Sequence, residues 1–163
     1  MNVVIVVGNP RTGSRTRQAA EAVAQRLAGE PDAEVIELAE LGPALLTPGD
    51  EAVASAKQRV LDADLLIFAS PTFKATYTGL LKLFLEQFAA GELHGTTSIA
   101  LMLGGSAHHS LAPELTLKPV LSEVGCSCPL PGLYLIDSTW NDDGVLDDWV
   151  ARGRQALRHL ITG

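Results

Sequence analysis

Five consecutive β-branched residues, VVIVV at residues 3–7, run straight into Gly8 and a short polar loop. No polar residue interrupts the run, so neither face of such a strand can be turned to water. An unalternated apolar strand of this kind is covered on both sides, as in a parallel sheet. Parallel strands need crossover connections, and the rest of the chain supplies them. Thr16, Ala19, Ala20, Val23, Ala24 and Leu27 recur at helical spacing, with Gly29 as a stop signal. A short strand is expected at 35–38, a loop with two prolines at 42–49, and a helix at 51–61 with Val53, Ala56, Val60 and Leu61 apolar.

The pattern then repeats. LLIFA at 65–69 reads as a buried strand ended by Ser70 and Pro71, and 78–88 as a helix turning Leu80, Leu81, Phe84, Leu85 and Phe88 inward. SIALML at 98–103 is a strand closed by Gly104 and Gly105. A helix is expected over 111–124, with Pro113 tolerated in its first turn, a strand over 133–136, and a last helix over 145–161. Alternating strands and helices specify an α/β fold with helices on both faces of a parallel sheet and right-handed crossovers. Five strands favour the flavodoxin-like three-layer sandwich, order 2-1-3-4-5, over the Rossmann arrangement. At 163 residues the chain is expected to be one domain, 1–163, burying roughly 70% of its unfolded surface without disulfides or metals.

The net charge is −7 and the pI near 5.0, which argues against a nucleic-acid partner, since that would need a basic face. No run approaches the roughly 18 apolar residues of a membrane span, and the N-terminus lacks the basic region of a signal peptide. A cytoplasmic location is expected. Cys126 and Cys128, two apart, match neither a redox pair nor a zinc spacing and read as small, partly buried thiols. His108 and His109 have no carboxylate or cysteine at ligand spacing, so no metal site is expected.

In doubly wound sheets ligands sit beyond the carboxyl ends of the strands. Three loops there are unusual. The first, residues 8–16, is neither a dinucleotide fingerprint nor a P-loop. It offers Asn9, Thr12, Ser14 and Thr16 as donors and Arg11 and Arg15 as cations, and it feeds a helix N-terminus, where free amides and the dipole favour an anion. A phosphate monoester fits. The second, SPTFKATYTG, places Pro71, Thr72, Phe73 and Lys74 where an apolar face, backbone polar groups and a positive charge could meet a planar ring. The third, GGSAHH, has Gly104 and Gly105, which permit close backbone approach to a flat ligand, with Ser106 adjoining and His109 near its edge. No GxSxG elbow supports a hydrolase.

Taken together, GNPRTGSRT, SPTFKATYTGLLK and LGGSAHHSLAPELTLKPVL resemble the NAD(P)H-dependent FMN reductase family, most nearly the flavin reductases of two-component alkanesulfonate monooxygenase systems. The resemblance implies FMN with NADPH or NADH, and hydride transfer directly between the two, with no catalytic side chain beyond an electrostatic contribution from Lys74. It implies that Asn9, Arg11, Ser14, Arg15 and Thr16 hold the FMN phosphate. Pro71, Thr72, Phe73, Lys74, Gly104, Gly105 and Ser106 would line the isoalloxazine, with His109 nearby. It also implies that Tyr77 lies in a π-helical insertion at an oligomer interface and weakens flavin retention. A homodimer or homotetramer and a partner monooxygenase are the associated expectations. Two alternatives stay open on sequence: a quinone or azo-type reductase with bound FMN, and a non-enzymatic flavodoxin-like electron carrier.

Overall fold

A computed structural model describes residues 1–29 and 33–161. Five parallel strands form one sheet in the order β2-β1-β3-β4-β5. They are β1 (Val3–Val7), β2 (Glu34–Glu37), β3 (Leu65–Pro71), β4 (Thr97–Gly104) and β5 (Leu133–Ile136). β1 lies beside β3 with Val3 opposite Leu65 and Val7 opposite Ala69.

The unalternated runs have the expected cause. Val3, Ile5 and Val7 of β1, with Leu65, Ile67 and Ala69 of β3, pack on one face against α1 (Arg15–Ala28) and α6 (Asp147–Ala156) through Ala20, Val23, Leu27, Trp149 and Val150. Val4 and Val6, with Leu66, Phe68 and Met102, pack on the other face. There they meet α3 (Glu51–Leu61), α4 (Gly79–Leu85) and α5 (Lys118–Glu123) through Ala56, Val60, Leu81, Phe84 and Leu121. Every residue of β1 and β4 is buried. The two-sided core is what holds the strand ends, and the loops beyond them, at fixed positions.

Boundaries moved in places. Leu38, expected to end the second strand, opens the single-turn helix α2 (Leu38–Leu41), and the expected loop at 42–49 begins with a 3-10 turn, Gly42–Leu46. The helix expected over 145–161 breaks at Leu157 before the short α7 (Arg158–Ile161). The helix expected over 111–124 is not uniform: Pro113–Leu117 is a π turn leading into α5. The Thr116 hydroxyl donates to the carbonyl of Ala112 at 2.6 Å. The Lys118 amide reaches back five residues to Pro113. The Glu114 carboxylate accepts from the Gly132 amide at 2.7 Å and from Lys118 at 2.8 Å, clamping this turn to the entry of β5. Those two bonds, the Gly132 amide first, hold the Glu114 carboxyl below its ordinary range.

Cys126 is buried, and Cys128 is half-buried with its sulfur 3.1 Å from Ser98 Oγ. Burial pushes the Cys126 thiol up to about 11, against a smaller opposing effect of Ser98. At pH 7 about one such thiol in ten thousand is ionised. Iodoacetamide should therefore leave Cys126 unmodified in the native protein and label it in urea, as read by peptide mass spectrometry. Because the folded thiol holds its proton more tightly than the unfolded one, its contribution to stability is present below the ordinary value of 9.0 and is lost as pH rises toward about 11.

Candidate functional site

The first loop is organised by its own side chains and by one distant carboxylate. Asn9 Oδ1 accepts the Arg11 amide at 2.9 Å, and Asn9 Nδ2 donates to Thr16 Oγ1 at 3.1 Å. Ser14 is the N-cap of α1, its hydroxyl accepting from the Arg17 amide. Gly13 adopts φ +62, a region that glycine enters freely. Its amide donates to both oxygens of Glu37, at 2.9 and 3.2 Å. Glu37 is buried and also accepts from Arg17 at 2.6 Å, while Arg17 pairs with Glu21 at 2.9 Å. These bonds, Glu21 before Glu37, raise the already high value of the Arg17 guanidinium. The amides of Arg15 and Thr16, in the first turn of α1, have no acceptor among the described residues.

The second loop leaves β3 as a tight hairpin. Phe73 and Thr76 exchange backbone bonds of 2.9 and 3.3 Å around Lys74 (φ 52) and Ala75 (φ 70), the left-handed pair of a type I′ turn. Thr72 is tied by its amide to Leu103 at 2.7 Å, and Phe73 stands 51% exposed. The third loop is shaped by Tyr134, whose hydroxyl donates to the Ser106 carbonyl at 2.7 Å. A Cβ on Gly104 would lie 1.8 Å from that hydroxyl, so the close approach requires glycine as long as Tyr134 keeps its place.

The three loops meet around a cleft of about 540 Å³ at the carboxyl ends of β1, β3 and β4. Asn9, Arg11, Ser14, Arg15, Thr16, Pro71, Thr72, Phe73, Gly104 and Gly105 all line it. Lys74, Ser106 and His109 do not. Lys74 is exposed at the hairpin tip, Ser106 is exposed with its carbonyl taken by Tyr134, and His109 ends an exposed 3-10 turn, Ala107–His109. Tyr77 is half-buried in the non-helical stretch before α4, and the π turn lies at Pro113–Leu117 instead. Burial raises the Tyr77 phenol above its ordinary value.

Three residues important to this geometry escaped sequence reasoning. Asp137, just past β5, lines the cleft and pairs with Arg15 at 2.8 Å. Applying the strand-end rule to a fourth loop would have found it. Glu37 carried a weaker signal, an acid at the carboxyl end of a short strand. Thr78, read only as a helix start, donates to the Gly8 carbonyl at 2.6 Å and accepts the Leu81 amide at 3.1 Å, locking α4 beneath the first loop.

A family model described as NADPH-dependent FMN reductase matches residues 1–141. The chain belongs to that family. It is an NAD(P)H:FMN oxidoreductase. The FMN reductase (NADPH) of Escherichia coli K12 is 34% identical over 85% of this chain and 74% of its own length. The NADH-dependent FMN reductase SfnF of Pseudomonas putida is 32% identical over 82% of this chain and 76% of its own. The solved apo structure of an NADH:FMN oxidoreductase, EMOB, superposes with a TM-score of 0.83 at 31% identity, covering 99% of this reductase and 88% of that chain.

The cleft of the reductase fits FMN on its own terms. Its volume lies within the roughly 300–1,000 Å³ of cofactor pockets. Uncommitted first-turn amides and the Arg11 guanidinium, which has no partner among the described residues, suit a phosphate at one end. At the other end Thr72 Oγ1 is buried without a hydrogen-bond partner, beside the Gly104 backbone. A planar ring with polar edges would satisfy it.

Proposed function

We propose that the N-terminus of α1 grips the FMN phosphate and that the loops after β3 and β4 receive the ring, so that flavin enters and leaves as an exchangeable substrate. The observation that carries this reading is the convergence, on one cleft, of a cationic helix N-terminus with an orphaned Thr72 hydroxyl and a side-chain-free strand end at Gly104. Bound FMN supplies the hydride acceptor, and NAD(P)H the hydride. The protein's part is alignment and electrostatics. Arg11 and Arg15 set charge at the phosphate end, Asn9 and Thr16 hold the loop in shape, and exposed Phe73 offers an apolar face to a ring.

Supply of reduced flavin to a partner monooxygenase in the cytoplasm extends this reading, supported by the likeness to SfnF and by the sequence resemblance to flavin reductases of two-component systems. No helix among the described residues is long and apolar enough to cross a membrane. A homodimer or homotetramer would cover exposed Leu111 and Leu115, and Tyr77 stands as a candidate for flavin exchange through such an interface.

The test is direct. Protein purified without added flavin should be colourless, and its NAD(P)H oxidation should rise with FMN and saturate. A yellow protein that passes electrons to quinones with no added FMN would replace this reading with that of a bound-flavin reductase. Thr72→Val should raise the KM for FMN several-fold, because valine keeps the shape but removes the unpartnered hydroxyl that a polar ring edge would satisfy.

A further inference from the structure

The first loop and the opening turn of α1 carry Arg11, Arg15 and Arg17, yet most of that charge is already answered. Arg17 is committed to Glu21 and to buried Glu37. The Arg15 guanidinium spans the cleft to Asp137, 2.8 Å from its carboxylate and 3.5 Å from its carbonyl. Asp137 is held in place independently, its amide donating to Gly104 at 2.9 Å. Arg15 is the only cation that Asp137 meets among the described residues, and both residues line the cleft.

We propose that Asp137 is an internal competitor for Arg15 that selectively weakens binding of phosphorylated flavins and so sets their rate of release. This rests on the reading of α1 as the phosphate site. A phosphate dianion recruiting Arg15 must either displace the carboxylate, losing the pair, or share the guanidinium with it, placing two anions close together. Either way Asp137 costs affinity only when the ligand carries phosphate. The side chains of the pair are 60% and 37% exposed, so the pair is weak enough to open without a large barrier. Its anchoring to Gly104 also puts the competing carboxylate, at the end of β5, beside the end of β4 that would face the ring. A positioning role would have the opposite sign: if Asp137 preorganised Arg15, removing its charge would loosen FMN.

The experiment measures dissociation constants for FMN and riboflavin by flavin fluorescence, in wild type, Asp137→Asn, Arg15→Gln and the double variant. Asp142→Asn, which removes the same charge outside the cleft, is the control. Asp137→Asn should tighten FMN about three- to ten-fold at low ionic strength, the range of one weakly screened charge pair. Riboflavin and the Asp142→Asn control should stay within about two-fold. The gain should shrink in high salt and vanish in the Arg15→Gln background. Asp137→Ser should give the same sign, and stands in should circular dichroism find the asparagine variant unfolded. Unchanged or weaker FMN binding, equal tightening of riboflavin, or a gain that survives Arg15→Gln would overturn the proposal. The phosphate site itself fails on a different result, an FMN affinity in wild type no greater than that for riboflavin and unmoved by Arg15→Gln.

Discussion

Gly8→Ala should lower unfolding stability by about 3 kcal/mol, near the upper end for overpacking a tight core. Gly8 directly follows β1, its amide donating to the Ala69 carbonyl at 2.8 Å. A Cβ there would lie 2.6 Å from Leu81 Cβ and 3.2 Å from Thr78 Oγ1. Leu81 is wholly buried and its Cβ belongs to the helix frame, so no rotamer change can relieve the clash. Relief requires α4 to retreat. That movement strains the Thr78 bonds to the Gly8 carbonyl and to Ser70 Oγ, and with them the cap of α4. Urea titration should show the midpoint falling with little change in slope, and Tm should drop by roughly 6–12 °C. Gly105→Ala, where an added Cβ meets nothing within 4 Å, should stay within about 0.5 kcal/mol. Equal stabilities for the two variants would mean that α4 does not press on the strand end.

Glu37→Ala should cost about 1–3 kcal/mol of stability and raise the FMN dissociation constant roughly ten-fold. The carboxylate is nearly inaccessible, 4% exposed, and satisfies the Gly13 amide of the first loop and the Arg17 guanidinium of α1. Alanine leaves the amide unpaired and releases the left-handed turn at Gly13 that delivers the chain to α1. Arg17 keeps Glu21, so the loss falls chiefly on loop geometry. Glu37→Gln should be milder, since an amide oxygen can still accept from Gly13 while the ion pair is lost. The ratio of FMN to riboflavin affinity separates loop damage from general destabilisation, because only FMN uses the anion site. A variant that loses stability but keeps the wild-type ratio would show that Glu37 braces the fold without shaping the site.

The periodicity of the chain carried the fold. VVIVV and LLIFA have no polar face, and a strand with no polar face has few places to go except between two layers of helices. Loop position carried the site in outline, since strand ends in such a sheet are where backbone groups lie open. Atomic roles within the site were less legible. Asn9, expected to donate to an anion, lines the cleft and also shapes the loop, its amide bonded to Thr16 and Arg11. Lys74, expected beside the ring, sits at a hairpin tip that its positive φ makes possible but that its spelling, KA, does not announce. The π turn at Pro113–Leu117 has no spelling that periodicity reads.

Secondary structure and layering were readable because they depend on neighbours within a few residues, where spacing alone says which side chains share a face. The state of charge of the cleft was not, because its partners come from far along the chain. Gly13 and Glu37 are 24 residues apart, and Arg15 and Asp137 are 122 apart. An arginine looks the same in a linear string whether it awaits a phosphate or already holds a carboxylate. The folded sheet, by bringing the ends of β2 and β5 to the loop that follows β1, shows which arginines already hold a carboxylate.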